Sequence, residues 1–283
     1  MKILITGARG ALGREVIGVL KREGIDFLAT DISQLDITDF VKTYESLLDC
    51  HPDVILHFAA VSDVDKCEED PETALRVNAL SSLGLGIIAD KIGAKLLYTS
   101  TNFIFDGNCE RPYAEGDKPN PINTYGRTKM LGENYIRDVC ARHFIVRTSW
   151  LFGGYSKNFI SRFLNSEEKP VSIDAVCDRF ASFTYTLDLA EALLLIIESE
   201  NYGVFHVVNK GVGSFFDFLL KAKEVMKFKT EIKPIKAAEL NLPAPRPRYS
   251  PLDSQNYEHL FARQMPKWEV ALAEFAAKPS SQS

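Results

Sequence analysis

The sequence contains no apolar run approaching the roughly 18 to 20 residues that cross a bilayer, and stretches such as Leu193–Ile197 stop well short of it. No membrane contact is expected. The five cysteines, Cys50, Cys67, Cys109, Cys140 and Cys177, are odd in number, scattered and never spaced C-x-x-C. They suggest neither a disulfide framework nor a zinc knuckle, and a reducing cytoplasm suits them best. The opening Met1-Lys2-Ile3-Leu4-Ile5-Thr6-Gly7 shows no cleavage-site pattern, so no signal peptide is expected. Excess positive charge is missing too: 33 basic residues face 38 acidic ones, a net charge of −5. That balance argues against a nucleic-acid partner, while leaving room for a local basic patch that takes a small phosphorylated ligand. The histidines, His51, His57, His143, His206 and His259, lack paired ligand spacing, and no metal is assigned to them. What is present is the composition of an ordinary globular protein, with 46% hydrophobic and 25% charged residues over 283 positions, enough for a large core.

Hydrophobic periodicity alternates along the chain. Lys2–Thr6 reads as a strand, Ala11–Lys21 as a helix, Asp26–Thr30 as a strand, Phe40–Leu48 as a helix and Asp53–Phe58 as a strand. Pro71–Lys91 reads as one long helix with Pro71 in its first turn, followed by the strand Lys95–Ser100. A loop from Asp106 to Asn123 then leads to the helix Tyr125–Ala141 and the strand His143–Thr148. Such alternation implies an α/β fold with a doubly wound parallel sheet, of the Rossmann type. Beyond Trp150 the pattern loosens, with one more helix at Leu187–Ser199 and a strand at Val204–Val208. The expected division is therefore a dinucleotide-binding domain over 1–150, to which 186–208 returns, and a smaller C-terminal substrate-binding lobe from 151–185 and 209–283.

Gly7-Ala8-Arg9-Gly10-Ala11-Leu12-Gly13 is G-x-x-G-x-x-G at the junction of the first strand and helix. Glycines there let the backbone turn tightly and approach a pyrophosphate over free helix N–H groups. A structural turn with no ligand is the plainer reading. Asp31, closing the second strand, is placed to accept hydrogen bonds from an adenosine ribose, or else merely forms a turn. No Arg follows it, which leans toward NADH, whereas Arg9 can pair with the 2′-phosphate of NADPH. Both cofactors stay open. Tyr125-Gly126-Arg127-Thr128-Lys129 puts a phenol and an ammonium on one helix face. Lys129 can then lower the phenol's pKa and hold a ribose while Tyr125 reaches a carbonyl. Alternatively the pair lies on a solvated face. Thr101, or Ser100, at the end of the preceding strand can supply a second donor to the same oxygen.

Taken together, these motifs resemble the extended short-chain dehydrogenase/reductase superfamily. Phe58–Glu68, Val77-Asn78-Ala79, Ser100–Gly107, Val146–Leu151 and Arg246–Ser250 further resemble the dTDP-4-dehydrorhamnose reductase family, from the first strand to about Trp268. The resemblance implies hydride delivery from NADPH or NADH to the C4 ketone of dTDP-4-dehydro-β-L-rhamnose, a dTDP-sugar. It implies Tyr125 as proton donor, Lys129 as the residue that orients the nicotinamide ribose and tunes Tyr125, and Thr101 as polariser of the carbonyl. Ala59, Ala60 and Val61 would lie along the cofactor, with Asp36, Ile37 and Asn78 also against it, Asn78 having a core-amide reading beside this one. Some members are associated with Mg²⁺, and a homodimer is expected by analogy.

Two departures stand out. The family usually reads Ser-Thr-Asp-Tyr where this chain has Ser100-Thr101-Asn102-Phe103, so Asn102 would face substrate without a carboxylate's charge. Asp178–Thr184 also departs, where relatives more often show Gln, Gly and Pro, and substrate fit should change with it. In the small lobe, Trp150 is expected to stack on sugar or base, or to be a core Trp. Asn158 is a substrate contact or a helix cap. Arg246 and Arg248, among Pro243, Pro245, Pro247 and Pro251, offer guanidinium groups to the substrate diphosphate or form a plain extended linker. Two other functions compete: a nucleotide-sugar epimerase or dehydratase, and a non-catalytic regulatory subunit like the methionine adenosyltransferase β-subunit, a fold relative. Retention of Thr101, Tyr125 and Lys129 disfavours the last.

Overall fold

The computed structural model describes residues 1–155, 159–166 and 168–278. Six strands form one parallel sheet in the order β2-β1-β3-β4-β5-β10. They are β1 (Ile3–Thr6), β2 (Phe27–Thr30), β3 (Val54–His57), β4 (Lys95–Thr101), β5 (His143–Thr148) and β10 (Gly203–His206). The chain steps from β1 outward to β2, then crosses back to β3 on the other side of β1. This is a topological switch point, and it opens a crevice at the carboxyl ends of β1 and β3.

Alternation along each strand sorts the core into two layers. Ile3, Ile5, Val54, Leu56 and Leu97 point to one face, where Val16 and Leu20 of α1 (Ala11–Arg22) and Leu193 and Ile197 of α8 (Thr186–Glu198) cover them. Leu4, Ile55, Leu96 and Tyr98 point to the other, under Leu47 of α2 (Phe40–Cys50), Leu85 and Ile88 of α5 (Ser81–Ile92), and Ile136 of α6 (Thr124–Val139). The expected doubly wound sheet is therefore what forms.

The long helix expected over 71–91 is broken up. It runs as α4 (Pro71–Leu75), a π-helical turn (Arg76–Leu80) and α5, behind a short α3 (Val64–Glu69) that periodicity did not suggest. Asp63 caps α3 and Asp70 caps α4. In the π turn the Ser81 and Ser82 hydroxyls donate to the carbonyls of Val77 and Asn78, and the Tyr98 hydroxyl donates to the Asn78 carbonyl as well. A wide turn of this kind re-aims one side chain, and here that side chain is Asn78.

A third apolar cluster lies beyond β5. Phe152, Phe183, Tyr185, Phe218, Trp268 and Leu272 are among its buried members. Apart from Phe183, just ahead of β9, these six come from β6 (Leu151–Phe152), β9 (Thr184–Tyr185), α9 (Phe215–Met226) and α11 (Trp268–Ala277), with α7 (Phe159–Asn165), β7 (Ser172–Val176), β8 (Phe180–Ala181), β11 (Gly213–Ser214), β12 (Glu231–Ile235) and α10 (Gln255–Phe261) completing the chain. The twelve residues of α9 lie where the sequence pattern had loosened. A reciprocal cap, Ser214 with Asp217, starts it.

Candidate active site

The glycine loop is shaped by contacts that admit no side chain. Gly7 has φ +68°, and a Cβ on it would lie 2.6 Å from the Ala59 nitrogen. The loop can therefore tuck against the end of β3 only with glycine there. At Gly10 a Cβ would approach only the Gly7 carbonyl, at 3.1 Å. α1 then opens with no side-chain cap and no acidic residue in its first turn. Its free N–H groups and positive dipole end suit a pyrophosphate.

Asp31 closes this cradle, accepting from the Arg9 amide at 3.0 Å and the Ile32 amide at 2.8 Å. The Arg14 guanidinium donates to the Arg9 carbonyl at 3.2 Å, and Arg9, Arg14 and Asp31 line one groove. Asp36 turns back on its own chain, accepting from the amide and hydroxyl of Thr38, and those bonds hold its carboxyl below the usual range. Ile37 is buried in the sheet's second layer. Ala59, Ala60 and Val61 follow β3 as half-buried backbone. Asn78, fully buried, binds Val61 from both ends: its Oδ1 accepts from the Val61 amide at 2.9 Å and its Nδ2 donates to the Val61 carbonyl at 3.0 Å. The Asn78 amide also donates to Thr128. Its side chain is thus engaged by protein, as in the core-amide reading, and it fixes the backbone at Val61.

Thr101, Tyr125 and Lys129 come together at the carboxyl end of β4. Asn123 caps α6 by accepting from the Gly126 amide at 2.8 Å. A Cβ on Gly126 would stand 2.0 Å from the Phe103 carbonyl oxygen, so glycine at this point lets α6 press on the turn after β4. That approach brings the Tyr125 phenol beside the Thr101 hydroxyl, which favours its ionised form and itself donates to the Asn102 Oδ1 at 3.3 Å. Phe103 meets the Tyr125 ring edge-on at 6.0 Å. Ser100, one residue earlier, points to the opposite face, and its hydroxyl is buried with no hydrogen-bond partner among the described residues. Of these two hydroxyls, Thr101 is therefore the one that faces Tyr125.

Lys129 lies one helical turn beyond Tyr125, is buried, and holds its ammonium 3.9 Å from the centre of the Tyr98 ring. Burial lowers its pKa to about 7, against the opposing pull of Glu133 and Cys67. Tyr125 does not show the depression expected from Lys129. Burial pushes its pKa up to about 12, with only the Thr101 hydrogen bond working the other way. The phenol thus stays protonated at neutral pH, the state a proton donor needs.

Beside this group opens a cleft walled by Phe103, Trp150, Phe180 and Phe215, with Arg179 and Arg246 at its polar side. Trp150 adopts φ +35°, an unusual conformation for a bulky residue. Its ring packs edge-on against Phe183 at 5.2 Å and Phe215 at 6.4 Å, so it serves core and cleft at once. Arg246 forks onto Asp65, with both N–O distances 2.7 Å, and also donates to the Ala244 carbonyl. Arg248 is exposed and does not line the cleft; its carbonyl accepts from the Phe180 amide. Asn102 is buried rather than open to the cleft. Its Nδ2 donates to the Ser250 hydroxyl at 2.8 Å, which ties β4 to the Arg246–Ser250 segment. Asn158 lies outside the described residues.

Sequence reasoning missed Asp65, the partner of Arg246, and took Arg179 only as part of an unusual loop. Two arginines near prolines drew attention, while a carboxylate 181 positions from its partner carries no local signal. Among the described residues no group of three or more His, Cys, Asp or Glu could hold a metal ion. No described helix is long and apolar enough to cross a membrane.

The family model described as the RmlD substrate binding domain matches residues 1–280. The spore coat polysaccharide biosynthesis protein SpsK of Bacillus subtilis (strain 168) is 33% identical over 280 residues, covering 99% of this chain and 98% of that protein. A dTDP-4-dehydrorhamnose reductase of Mycobacterium tuberculosis (strain CDC 1551 / Oshkosh) is 34% identical over 290 residues, covering 99% and 94%. The crystal structure of dTDP-4-dehydrorhamnose reductase from Bacillus anthracis str. Ames in complex with NADP superposes with a TM-score of 0.92 at 35% identity, covering 97% of this chain and 98% of that one.

Proposed function

This chain belongs to the dTDP-4-dehydrorhamnose reductase family, and we propose that it uses NADPH to reduce the C4 ketone of dTDP-4-dehydro-β-L-rhamnose to dTDP-β-L-rhamnose, for a rhamnose-containing polysaccharide. It is an NADPH-dependent oxidoreductase. The observation that carries the reading is the convergence of Thr101, Tyr125 and Lys129 between the glycine loop and the aromatic cleft.

The uncapped start of α1 and the open side of Gly10 fit the cofactor's pyrophosphate, and Asp31 with Arg9 and Arg14 fits its adenosine end. When bound, the nicotinamide supplies hydride. Negative charge then grows on the former carbonyl oxygen, where Thr101 and Tyr125 are already placed as donors. Tyr125 gives up its proton to that oxygen. The proton leaves a buried phenol for a more basic alkoxide, and the Thr101 hydroxyl is the neighbour that favours the phenolate left behind.

In this reading 1–150 and 186–208 hold the cofactor, while 151–185 and 209–283 hold the sugar nucleotide. The separate aromatic cluster beyond β5 supports that division. A non-catalytic role leaves the Thr101–Tyr125 pairing without a purpose. The loss of NADPH absorbance on adding dTDP-4-dehydrorhamnose tests the proposal, with NADH run in parallel and the product identified by mass spectrometry. Turnover with NADPH to a dTDP-rhamnose product is expected. Binding of NADPH without any reduction would overturn the proposal.

A further inference from the structure

The cleft beside Tyr125 presents two guanidinium groups, and their situations differ. Arg246 is occupied: both its outer nitrogens bond to Asp65 at 2.7 Å and one also donates to the Ala244 carbonyl at 2.6 Å. Asp65 further accepts from the Ala244 amide at 3.1 Å. Arg246 thus fastens its own proline-rich segment to the start of α3. Three of its five N–H groups are taken in this way, and its charge is already matched by Asp65.

Arg179, on the turn between β7 and β8, is the reverse case. It lines the same cleft, is half-buried, and has no hydrogen bond or ion pair with any described residue. Its nearest acidic neighbour in sequence, Asp178, is engaged by the Ala237 amide at 2.7 Å. Burial and the facing Arg246 charge both hold the Arg179 guanidinium below its ordinary pKa, and an arginine so placed still remains charged. A partly dehydrated cation that faces a second cation, with Asp178 pulling on it without a direct bond, is unfavourable until an anion arrives. The other walls are the flat faces and edges of Phe103, Trp150, Phe180 and Phe215, which suit an aglycone or base ring. An anion attached to rings is the chemistry of a nucleoside diphosphate.

We propose that Arg179 grips the diphosphate of the sugar nucleotide, and that Arg246 acts as the clamp holding the Ala244–Ser250 segment over it. The assignment rests on the function proposed above and adds to it the residue that recognises the substrate's charge. It also gives a purpose to the departure at Asp178–Thr184. On this assignment Arg179 meets the diphosphate and not the ketone being reduced, so its loss should weaken binding and leave the chemical step nearly intact.

The test compares wild type, Arg179→Gln and Arg179→Lys by titration calorimetry with dTDP, thymidine and NADPH, together with steady-state reduction. In Arg179→Gln the dTDP dissociation constant and the KM for the nucleotide sugar should rise roughly ten- to a hundred-fold, the loss of a charge-assisted hydrogen bond. Thymidine and NADPH affinities and kcat should stay within a few-fold, and Arg179→Lys should recover part of the dTDP affinity. Unchanged dTDP affinity in Arg179→Gln overturns the proposal. So does an equal loss for dTDP and thymidine, which would make Arg179 a structural support. Wild-type turnover with an unaffected variant sinks this inference alone; absence of both dTDP binding and turnover in the wild type sinks the proposed function with it.

Discussion

Replacing Glu133 by Gln should expose how the catalytic helix is anchored. Glu133 on α6 and Arg147 on β5 are each 1% exposed, and the carboxylate takes the guanidinium at 2.7 Å and 3.0 Å. Arg147 also donates to the Glu115 carbonyl at 3.2 Å and faces His206 at 3.3 Å. His206 adds no second positive charge, since burial, with Arg147 adding to it, lowers its pKa to about 3 and keeps the ring neutral. Glu133→Gln keeps the shape and removes the one buried carboxylate paired with Arg147 among the described residues. Breaking a buried pair in this way costs about 3 to 5 kcal/mol, because the remaining charge is stranded. That is a large share of the roughly 5 to 15 kcal/mol that holds a typical domain. Urea denaturation followed by fluorescence should show a clear fall in midpoint with little change in slope. The paired replacement Glu133→Leu with Arg147→Met should cost much less than Glu133→Gln, since nothing charged is then left inside. A loss below about 1 kcal/mol for Glu133→Gln would refute the reasoning, because it would mean that Arg147 finds water or another partner. The same change bears on catalysis: Glu133 sits one turn beyond Lys129 and its charge raises the lysine's pKa, so the variant's activity should decline at a lower pH than the wild type's.

Three further outcomes follow from the same geometry. Lys129 titrates near 7 in the folded chain against an ordinary 10.5, so between those values the unfolded chain binds the extra proton and stability falls as pH is lowered; Lys129→Met should flatten that slope in denaturation midpoints, and an unchanged slope would contradict the burial argument. Gly126→Ala would set a Cβ 2.0 Å from the Phe103 carbonyl oxygen, and the forced shift of α6 should cost about a hundred-fold in kcat; turnover within a few-fold of wild type would show that Tyr125 is not placed by that contact. Asn102→Asp loses the amide that donates to Ser250 at 2.8 Å and should cost about 1 kcal/mol in thermal or chemical denaturation. A variant as stable as wild type would show the tether to be idle.

Much of the frame could be read in advance. Each sheet strand and its covering helices announced themselves through period, because burial on a face is a local property of the sequence. The glycine loop and Tyr125 with Lys129 were legible for the same reason, their spacing being set by one turn of chain. What escaped depends on partners distant in sequence. The π turn at Arg76–Leu80 exists to bring Asn78 to Val61, and no local pattern encodes that contact. Asp65 reads as an ordinary residue in the first turn of a short helix until Arg246 folds onto it. The pKa of Tyr125 misled in a different way: spacing showed the neighbouring cation, whereas depth of burial decided the sign. Asn102, a missing charge when compared with relatives, became a tether once Ser250 was seen beside it.

The central claim is that Tyr125, paired with Thr101 above the buried Lys129, donates the proton that completes ketone reduction. Single-turnover reduction of dTDP-4-dehydrorhamnose by NADPH, wild type against Tyr125→Phe, tests it most directly. The account predicts that Tyr125→Phe binds NADPH and dTDP as the wild type does while its reduction rate falls by about 10² to 10⁴. A rate within about tenfold of wild type would contradict the account, since a general acid worth so little is not the proton donor.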